Sequence, residues 1–449
     1  MIDVRTLDTE DLGDRSYLVH DGEVALVVDP QRDIDRVMAL ARAVNVRITH
    51  VAETHIHNDY VTGGLALAAA TGAAYLVNAD DPVLFDRTSV RDGDVVEIGA
   101  MRVRVVHTPG HTHTHLSYAV TTVDDEPVAV FTGGCLLYGS TGRPDLLGPS
   151  HTGPLSHAQW RSARHLAELL PDDTAVYPTH GFGSFCAVTQ PHRTRSTIGQ
   201  EKRTNPALTR AEEDYVRDLL AELDAYPAYY VHMAPRNLAG PAEPDLSPPH
   251  RADPAELRRR IEAGEWVVDL RHRRAFAAGH VAGTVNLGID GQFVTYLGWL
   301  IPWGTPVTLL GATAEDVAAA QRGLVRIGID RPAAMGIGGP TAWNDRPSLA
   351  SYPVVDFPRL AEALRGDDPP TVLDVRRHAE WAHAHIPGAL HIPIHEVLER
   401  LGEIPPGPVW VHCTGGYRAG VVASLLAACG RDVVLIDDNF DVTREIGLV

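Results

Sequence analysis

The sequence predicts a multidomain α/β chain, and three observations carry that expectation. Its 449 residues are roughly three to four times the usual size of one domain. Short apolar runs of strand character alternate with stretches of helical spacing. The second half also repeats itself. Val267-Val-Asp-Leu-Arg271 matches Val372-Leu-Asp-Val-Arg376, and one constant offset also pairs Phe276 with Trp381, His280 with His385 and Gly283 with Gly388. Such a repeat predicts two α/β units of about 100 residues each.

Composition narrows the function. Apolar residues make up 44% and charged residues 22%, ordinary for a chain with sizeable cores. The 39 basic and 58 acidic residues give a net charge of −19, with no Lys/Arg block. Nucleic acid and anionic membrane are therefore excluded as expected partners, since both need a basic face that displaces counterions. No apolar run approaches the roughly 18 residues of a membrane span, and Met1-Ile-Asp-Val-Arg5 reads as a strand rather than a signal peptide. The four cysteines, Cys135, Cys186, Cys413 and Cys429, form no C-x-x-C pair. That pattern suits a reducing, cytoplasmic setting and a free reactive thiol rather than disulfides or a zinc ribbon. The 23 histidines are bunched, which points to metal or acid–base chemistry.

In chain order, Val24-Ala-Leu-Val-Val28 reads as a buried strand ended by Asp29-Pro30, and Ile34, Val37, Ala41 and Val44 follow helical spacing. Arg47-Ile-Thr-His-Val-Ala52 and the alternating Met101-Arg-Val-Arg-Val-Val106 are strands that each lead into a histidine cluster. Histidines just past strand ends sit on loops held by a rigid sheet, where sites are usually built. Thr209 and Glu212 have capping-box spacing and open a helix through Val216, Leu219 and Leu223. After Pro227 the prolines crowd, which predicts a surface linker and a boundary near residue 250. The expected domains are 1–250, 251–350 and 351–449. Each of the last two opens with an amphipathic helix, around Leu257 and Ile261 and around Leu360 and Leu364.

Near the C-terminal end, the strand Val409-Trp-Val-His412 and a helix over 418–428 enclose Cys413-Thr-Gly-Gly-Tyr-Arg418. A loop running from a strand into a helix N-terminus turns backbone N–H groups inward, and the helix dipole adds positive potential. Gly415 and Gly416 permit the tight curvature. Cys413 is thus expected to be a good nucleophile at neutral pH, with Arg418 steadying an anionic group that faces the sulfur. A buried cysteine in a β–α turn is the bland alternative; the two glycines and the arginine weigh against it. The loop Thr414, Gly415, Gly416, Tyr417 and the Asp-x-Arg repeat resemble rhodanese domains, sulfurtransferases that carry sulfur as a cysteine persulfide. The four residues between Cys413 and Arg418 match the sulfur-transfer loop, whereas related phosphatases insert one more. In the first copy Gly311 stands where the loop cysteine would be, so that copy resembles an inactive rhodanese domain with a packing role. Cys429 closes a helix and is expected in the core.

In the first half, Thr54-His-Ile-His-Asn-Asp-Tyr60 and His107-Thr-Pro-Gly-His-Thr-His113 offer imidazoles on loops. His55 and His57 can turn toward one ion, and imidazole clusters suit zinc or iron. Taken singly, His50, His113 or His115 read equally well as surface histidines. His55, His57, Asp59 and His111, with His180 in Tyr177-Pro-Thr-His180, resemble the metallo-β-lactamase signature His-x-His-x-Asp-His. The implied fold is an αββα sandwich followed by two rhodanese-like doubly wound α/β domains. That combination resembles the persulfide dioxygenase–rhodanese fusions of bacterial sulfide metabolism, in which a mononuclear Fe(II) site oxidises a thiol persulfide to sulfite.

Two positions depart from the resemblance. Tyr60 replaces the second histidine of the signature, and Phe131-Thr-Gly-Gly134 ends in glycine where the family has a metal-binding Asp. Three mononuclear sites remain open: His55, His57 and His111 as three imidazoles; a two-histidine set completed by the Asp59 carboxylate; or Cys135 swung into the empty position. His180 is expected as an accessory group. Fe(II) is the expected ion, with zinc as the alternative. The expected function is persulfide oxidation coupled to sulfur transfer on Cys413, with thiol persulfide, thiosulfate or sulfite as small-molecule partners. A homo-oligomer is compatible with this. A persulfide carrier on a metal-poor scaffold stands close behind, and a two-metal thioester hydrolase of glyoxalase II type ranks low.

Overall fold

The computed structural model describes residues 2–189 and 193–449, so Met1 of the expected first strand lies outside the described residues. The chain divides into two compact units. One comprises Met1–Pro244 with Val325–Gly328; the other comprises Asp245–Leu324 and Ile329–Val449. No described helix is long and apolar enough to cross a membrane.

The first unit is an αββα sandwich. Strands Asp3–Thr9, Asp14–His20, Val24–Val28, Arg47–Ala52, Ala74–Asn78 and Thr88–Val90 lie side by side in chain order, as do Val95–Ile98, Met101–His107, Leu116–Thr122, Pro127–Gly133, Ala175–Pro178 and Ser196–Thr197. Alternation of side chains along each strand decides the layering. Tyr17, Val19, Leu26 and Val28 of one sheet meet Val103, Val105, Tyr118 and Phe131 of the other in a fully buried core. Their neighbours face outward: Leu18, Val27 and Val51 pack under Val37 and Ala41 of the helix Asp35–Ala43 and Leu67 of the helix Gly64–Thr71. On the far side, Val106, Val130 and Val176 pack under Ala163 and Leu166 of the helix Pro149–Leu169.

Two local expectations are corrected. The helix Glu212–Glu222 starts after Ala211 with no side-chain cap, and Thr209 instead ends the short helix Pro206–Thr209, where its hydroxyl donates to the Asn205 carbonyl. Residues expected as linker include a 3-10 turn, Ala228–His232, and a helix, Met233–Ala239. Tyr229, Tyr230, Met233 and Asn237 are buried, so apolar and polar anchoring overrides the breaking effect of the flanking prolines.

The second unit holds two all-parallel sheets. In space the first runs Val285–Asn286, Trp266–Asp269, Val307–Gly311, Ala334–Ile337. The second runs Leu390–His391, Thr371–Asp374, Val409–His412, Val433–Ile436, then Val354–Val355. Apart from that last edge strand the order is the same, and the repeated residues do the same work in both. Arg271 pairs with buried Asp269 and reaches the Gly279 carbonyl; Arg376 pairs with buried Asp374 and reaches the Ala384 carbonyl. Each arginine so ties the end of a strand to the end of the following helix. His280 stacks on Phe276 at 3.9 Å between centroids, and His385 on Trp381 at the same distance. Cys429 is exposed, contrary to expectation, because it caps the helix Tyr417–Ala428 where the chain leaves the core.

Candidate active sites

In the first unit, His55, His57, Asp59, His111 and His180 are all brought together and all buried. The loop after Arg47–Ala52 is pinned from outside by Asn237, whose amide donates to the carbonyls of His57 and Tyr60 at 2.9 Å each. His111 hangs from the loop after Met101–His107 and donates through Nδ1 to the Arg143 carbonyl at 2.7 Å. His180 follows Ala175–Pro178, and its Nδ1 meets Asp14 at 2.9 Å and Asp59 at 3.1 Å. Its Nε2 lies 3.3 Å from His55 Nε2. His57 turns Nε2 outward, to Tyr60 Oη at 2.9 Å, Glu53 at 3.2 Å and Asp29 at 3.3 Å. Tyr60 therefore does not face the site as a ligand; it helps to fix the His57 ring.

His180 is the hub. Donor atoms within 4.8 Å of one another form the sets His55–His57–His180, His111–His180–Cys186 and Asp14–Asp59–His180. Cys135 belongs to none of these groups: its thiol lies against Thr108, and burial pushes it up to about 12. Gly134 offers no room for a carboxylate side chain, since a Cβ there would stand 2.5 Å from Cδ2 of His111. Its N–H donates to His115 Nε2 at 2.9 Å, so His115 is a buried brace and not a surface histidine.

The donors fit a cation. Among the described residues, Nδ1 of His57, Nε2 of His111 and Oδ1 of Asp59 are buried without a hydrogen-bond partner. Atoms left so cost free energy unless an ion or water takes them. Burial, helped by the His180 charge, pushes His111 down to about 3, and burial with the His57 charge pushes His55 well down, so both are neutral and able to donate a lone pair. Against burial, the Asp59 and Asp14 carboxylates lift His180 to about 9. Burial and Asp59 raise Asp14, whereas Asp59, despite burial, is held low by His180.

Sequence reasoning missed Asp14, Asp29, Glu53, Arg143 and Cys186. Asp29 was legible only as the end of a strand. Its carboxylate accepts from Thr54 N–H and Oγ1, both at 2.7 Å, and from Thr179, joining the two histidine loops beneath the site.

In the second unit, Cys413 is 2% exposed and directly follows the strand Val409–His412. Gly416 sits at φ +86° as the N-cap of Tyr417–Ala428, and a Cβ there would collide with the Asp437 carboxylate. Arg418 does not point free. Its Nη2 donates to Glu380 at 2.7 Å and to Thr414 Oγ1 at 2.9 Å, Nη1 also reaches Glu380, and Thr414 donates to Glu380 at 2.6 Å. Burial is outweighed by these bonds, and Glu380 is held down to about 2. The first repeat braces the loop: Tyr417 Oη donates to the Gly288 carbonyl at 2.8 Å, Arg273 and Arg274 hold Asp437, and Arg273 also meets the Gly415 carbonyl at 3.3 Å.

Both units resemble known proteins. The metallo-beta-lactamase superfamily profile matches residues 11–180, and the rhodanese-like domain profile matches residues 357–442. The chain is 30% identical over 254 residues to a hydroxyacylglutathione hydrolase of Rhizobium johnstonii, covering 49% of this chain and 91% of that one. It is 28% identical over 206 residues to the persulfide dioxygenase ETHE1 of Homo sapiens, covering 45% and 74%. A crystal structure of a metallo-beta-lactamase from Staphylococcus aureus, 27% identical, superposes with a TM-score of 0.67 over 75% of this chain and 99% of that chain.

Proposed function

The chain belongs to the metallo-β-lactamase superfamily and carries a rhodanese-like domain toward its C-terminal end, and on that premise we propose an enzyme of sulfur metabolism with two chemistries, persulfide oxidation and sulfur transfer. The observation that carries the second is the Cys413 loop. The Cys413 thiolate attacks the outer sulfur of thiosulfate, the S–S bond breaks, and sulfite leaves with the bonding pair. The outer sulfur stays on Cys413 as a persulfide until cyanide, sulfite or a thiolate takes it and the Cys413 thiolate returns. The negative persulfide lies at a helix N-terminus, where the dipole favours anions. Arg418, held rigidly by Glu380 and Thr414, adds positive potential at a fixed place.

At the first site the proposed reaction takes thiol persulfide, dioxygen and water to thiol, sulfite and protons. His55, His57, His111, Asp59 and His180 would hold the metal, proposed as Fe(II), with zinc the alternative. A redox-active ion supplies the electron steps that let dioxygen react with sulfur. The chain's own groups fix the donors: Arg143 orients His111, Asp14 and Asp59 orient His180, and Glu53, Asp29 and Tyr60 orient His57. The similarity to hydroxyacylglutathione hydrolase supports a second reading, a thioester hydrolase; Gly134, where the resemblance expects a metal-bridging carboxylate, speaks against it.

The test is direct. Cys413→Ser should abolish sulfur transfer from thiosulfate to cyanide while circular dichroism stays unchanged; retained transfer overturns the Cys413 assignment. A stable persulfide on Cys413 without turnover would replace the enzyme by a sulfur carrier. Iron-loaded protein should consume oxygen with a thiol persulfide, and absence of uptake removes the dioxygenase.

A further inference from the structure

We propose that the thiolate of Cys186 is a metal ligand, completing with His111 and His180 a two-imidazole, one-thiolate site that stands in for the carboxylate missing at position 134. The inference rests on the reading of the first unit as a metal site and goes beyond it, because neither the signature motif nor the resemblance points to this cysteine.

The geometry is specific. Nitrogens of His111 and His180 and Sγ of Cys186 lie within 4.8 Å of one another, and all three residues are fully buried. Ligand atoms around a tetrahedral zinc-like ion stand about 3.5 Å apart, so the three close on an ion with shifts of about an ångström. His111 already presents a free nitrogen. Nδ1 of His111 is spent on the Arg143 carbonyl, which leaves Nε2 as the lone-pair nitrogen, and that atom has no hydrogen-bond partner among the described residues. Nδ1 of His180 meets Asp14 and Asp59, and its Nε2 lies 3.3 Å from His55 Nε2. Hydrogen bonds of this kind fix the tautomer and orientation of ligating histidines.

One residue ties the cysteine to the histidine. The Arg143 N–H donates to the Cys186 carbonyl at 2.8 Å while the Arg143 carbonyl accepts from His111. The Arg143 guanidinium then holds the Phe185 carbonyl at 3.2 Å and is itself fixed by Asp145 at 2.7 Å and by the Asp224 carbonyl at 2.6 Å. The Cys186 backbone is thereby set by groups outside the proposed ligand set. On binding, the Cys186 thiol and the His180 imidazolium each give a proton to solvent, so that a thiolate and a neutral imidazole become the ligands. A thiolate shifts preference toward borderline divalent ions such as zinc, cobalt and iron, and away from magnesium or calcium.

The experiment uses the full chain carrying Cys413→Ser and Cys429→Ser, stripped of metal and titrated with Co(II) alone. The expected result is a near-ultraviolet thiolate-to-cobalt charge-transfer band rising to stoichiometric saturation. Adding Cys186→Ser should abolish that band and weaken binding by at least the roughly 10- to 100-fold that loss of an outer-shell partner costs; adding Cys135→Ser should change neither. Zinc-loaded protein with Cys186 intact should show a sulfur scatterer at about 2.3 Å in X-ray absorption, a readout that holds even where the serine variant fails to fold. Cobalt bound without the band, or zinc without a sulfur neighbour, overturns the thiolate ligand and leaves the metal site standing. No stoichiometric metal at all overturns both.

Discussion

Replacing Glu380 by glutamine isolates what holds the Cys413 loop. Glu380 carries the Arg418 guanidinium and the Thr414 hydroxyl on one carboxylate. Burial alone would raise its pKa; the bonds from Arg418, then its charge, and the Thr414 bond lower it from 4.5 to about 2. A carboxyl moved that far prefers its charged form in the folded state by about 3 kcal/mol. The side chain is 28% exposed, so solvent screening brings the expected contribution to roughly 2 kcal/mol. The sign follows from the lowered pKa: the stability is fully present above about pH 4.5 and is lost as pH falls through about 2. Glu380→Gln should therefore cost roughly 2 kcal/mol in urea unfolding of the second unit at pH 7, and wild type and variant should converge toward about pH 2. Sulfur transfer should fall with it, because Arg418 and Thr414 lose their shared anchor. A variant as stable as wild type at neutral pH, or a deficit that does not shrink in acid, would refute the account of the loop.

Gly134→Asp should not restore a carboxylate ligand: its Cβ meets the His111 ring, so a loss of roughly 1–3 kcal/mol in thermal or urea unfolding is expected, with metal content no higher than wild type by elemental analysis. Asn237→Ala leaves the carbonyls of His57 and Tyr60 without their donor; about 1–3 kcal/mol should be lost, together with part of the bound metal. Tyr417→Phe removes the bond to the Gly288 carbonyl, and a cost of about 1 kcal/mol with weakened sulfur transfer would show that the cysteine-free repeat steadies the loop. Chelation of the metal should lower the melting temperature of the first unit and leave transfer from thiosulfate to cyanide unchanged.

What was legible in the sequence was whatever a few adjacent residues carry. His55, His57 and Asp59 share one loop, and their spacing let them be read together as candidate ligands. Asp269 and Arg271, with Asp374 and Arg376, form pairs two residues apart, so the repeat announced its own brace. Of the strands that deliver the histidines, the one over 101–106 was read from its alternation of apolar and basic residues, because a half-exposed strand writes itself that way. The layering was expected from the resemblance, and the cores confirm it.

The rest depended on long-range pairing. Asp14 opens a strand whose pairing partners are Asp3–Thr9 and Val24–Val28. Nothing in its neighbours Gly13, Arg15 and Ser16 marks that carboxylate as the partner of His180, 166 residues away. The two cysteines make the same point. Cys135 is next to Gly134 in sequence and was the natural substitute for a missing ligand, yet Gly134 and Cys135 direct their carbonyls to the Gln159 amide and the thiol turns toward Thr108. Cys186 follows a loop of glycine, serine and phenylalanine with no ligand spacing of its own, and reaches His111 only because the Arg143 backbone binds both. A missing ligand is replaced by whatever the fold brings near, and adjacency in sequence is a poor guide to that where the chain has left its strand, which here ends at Gly133.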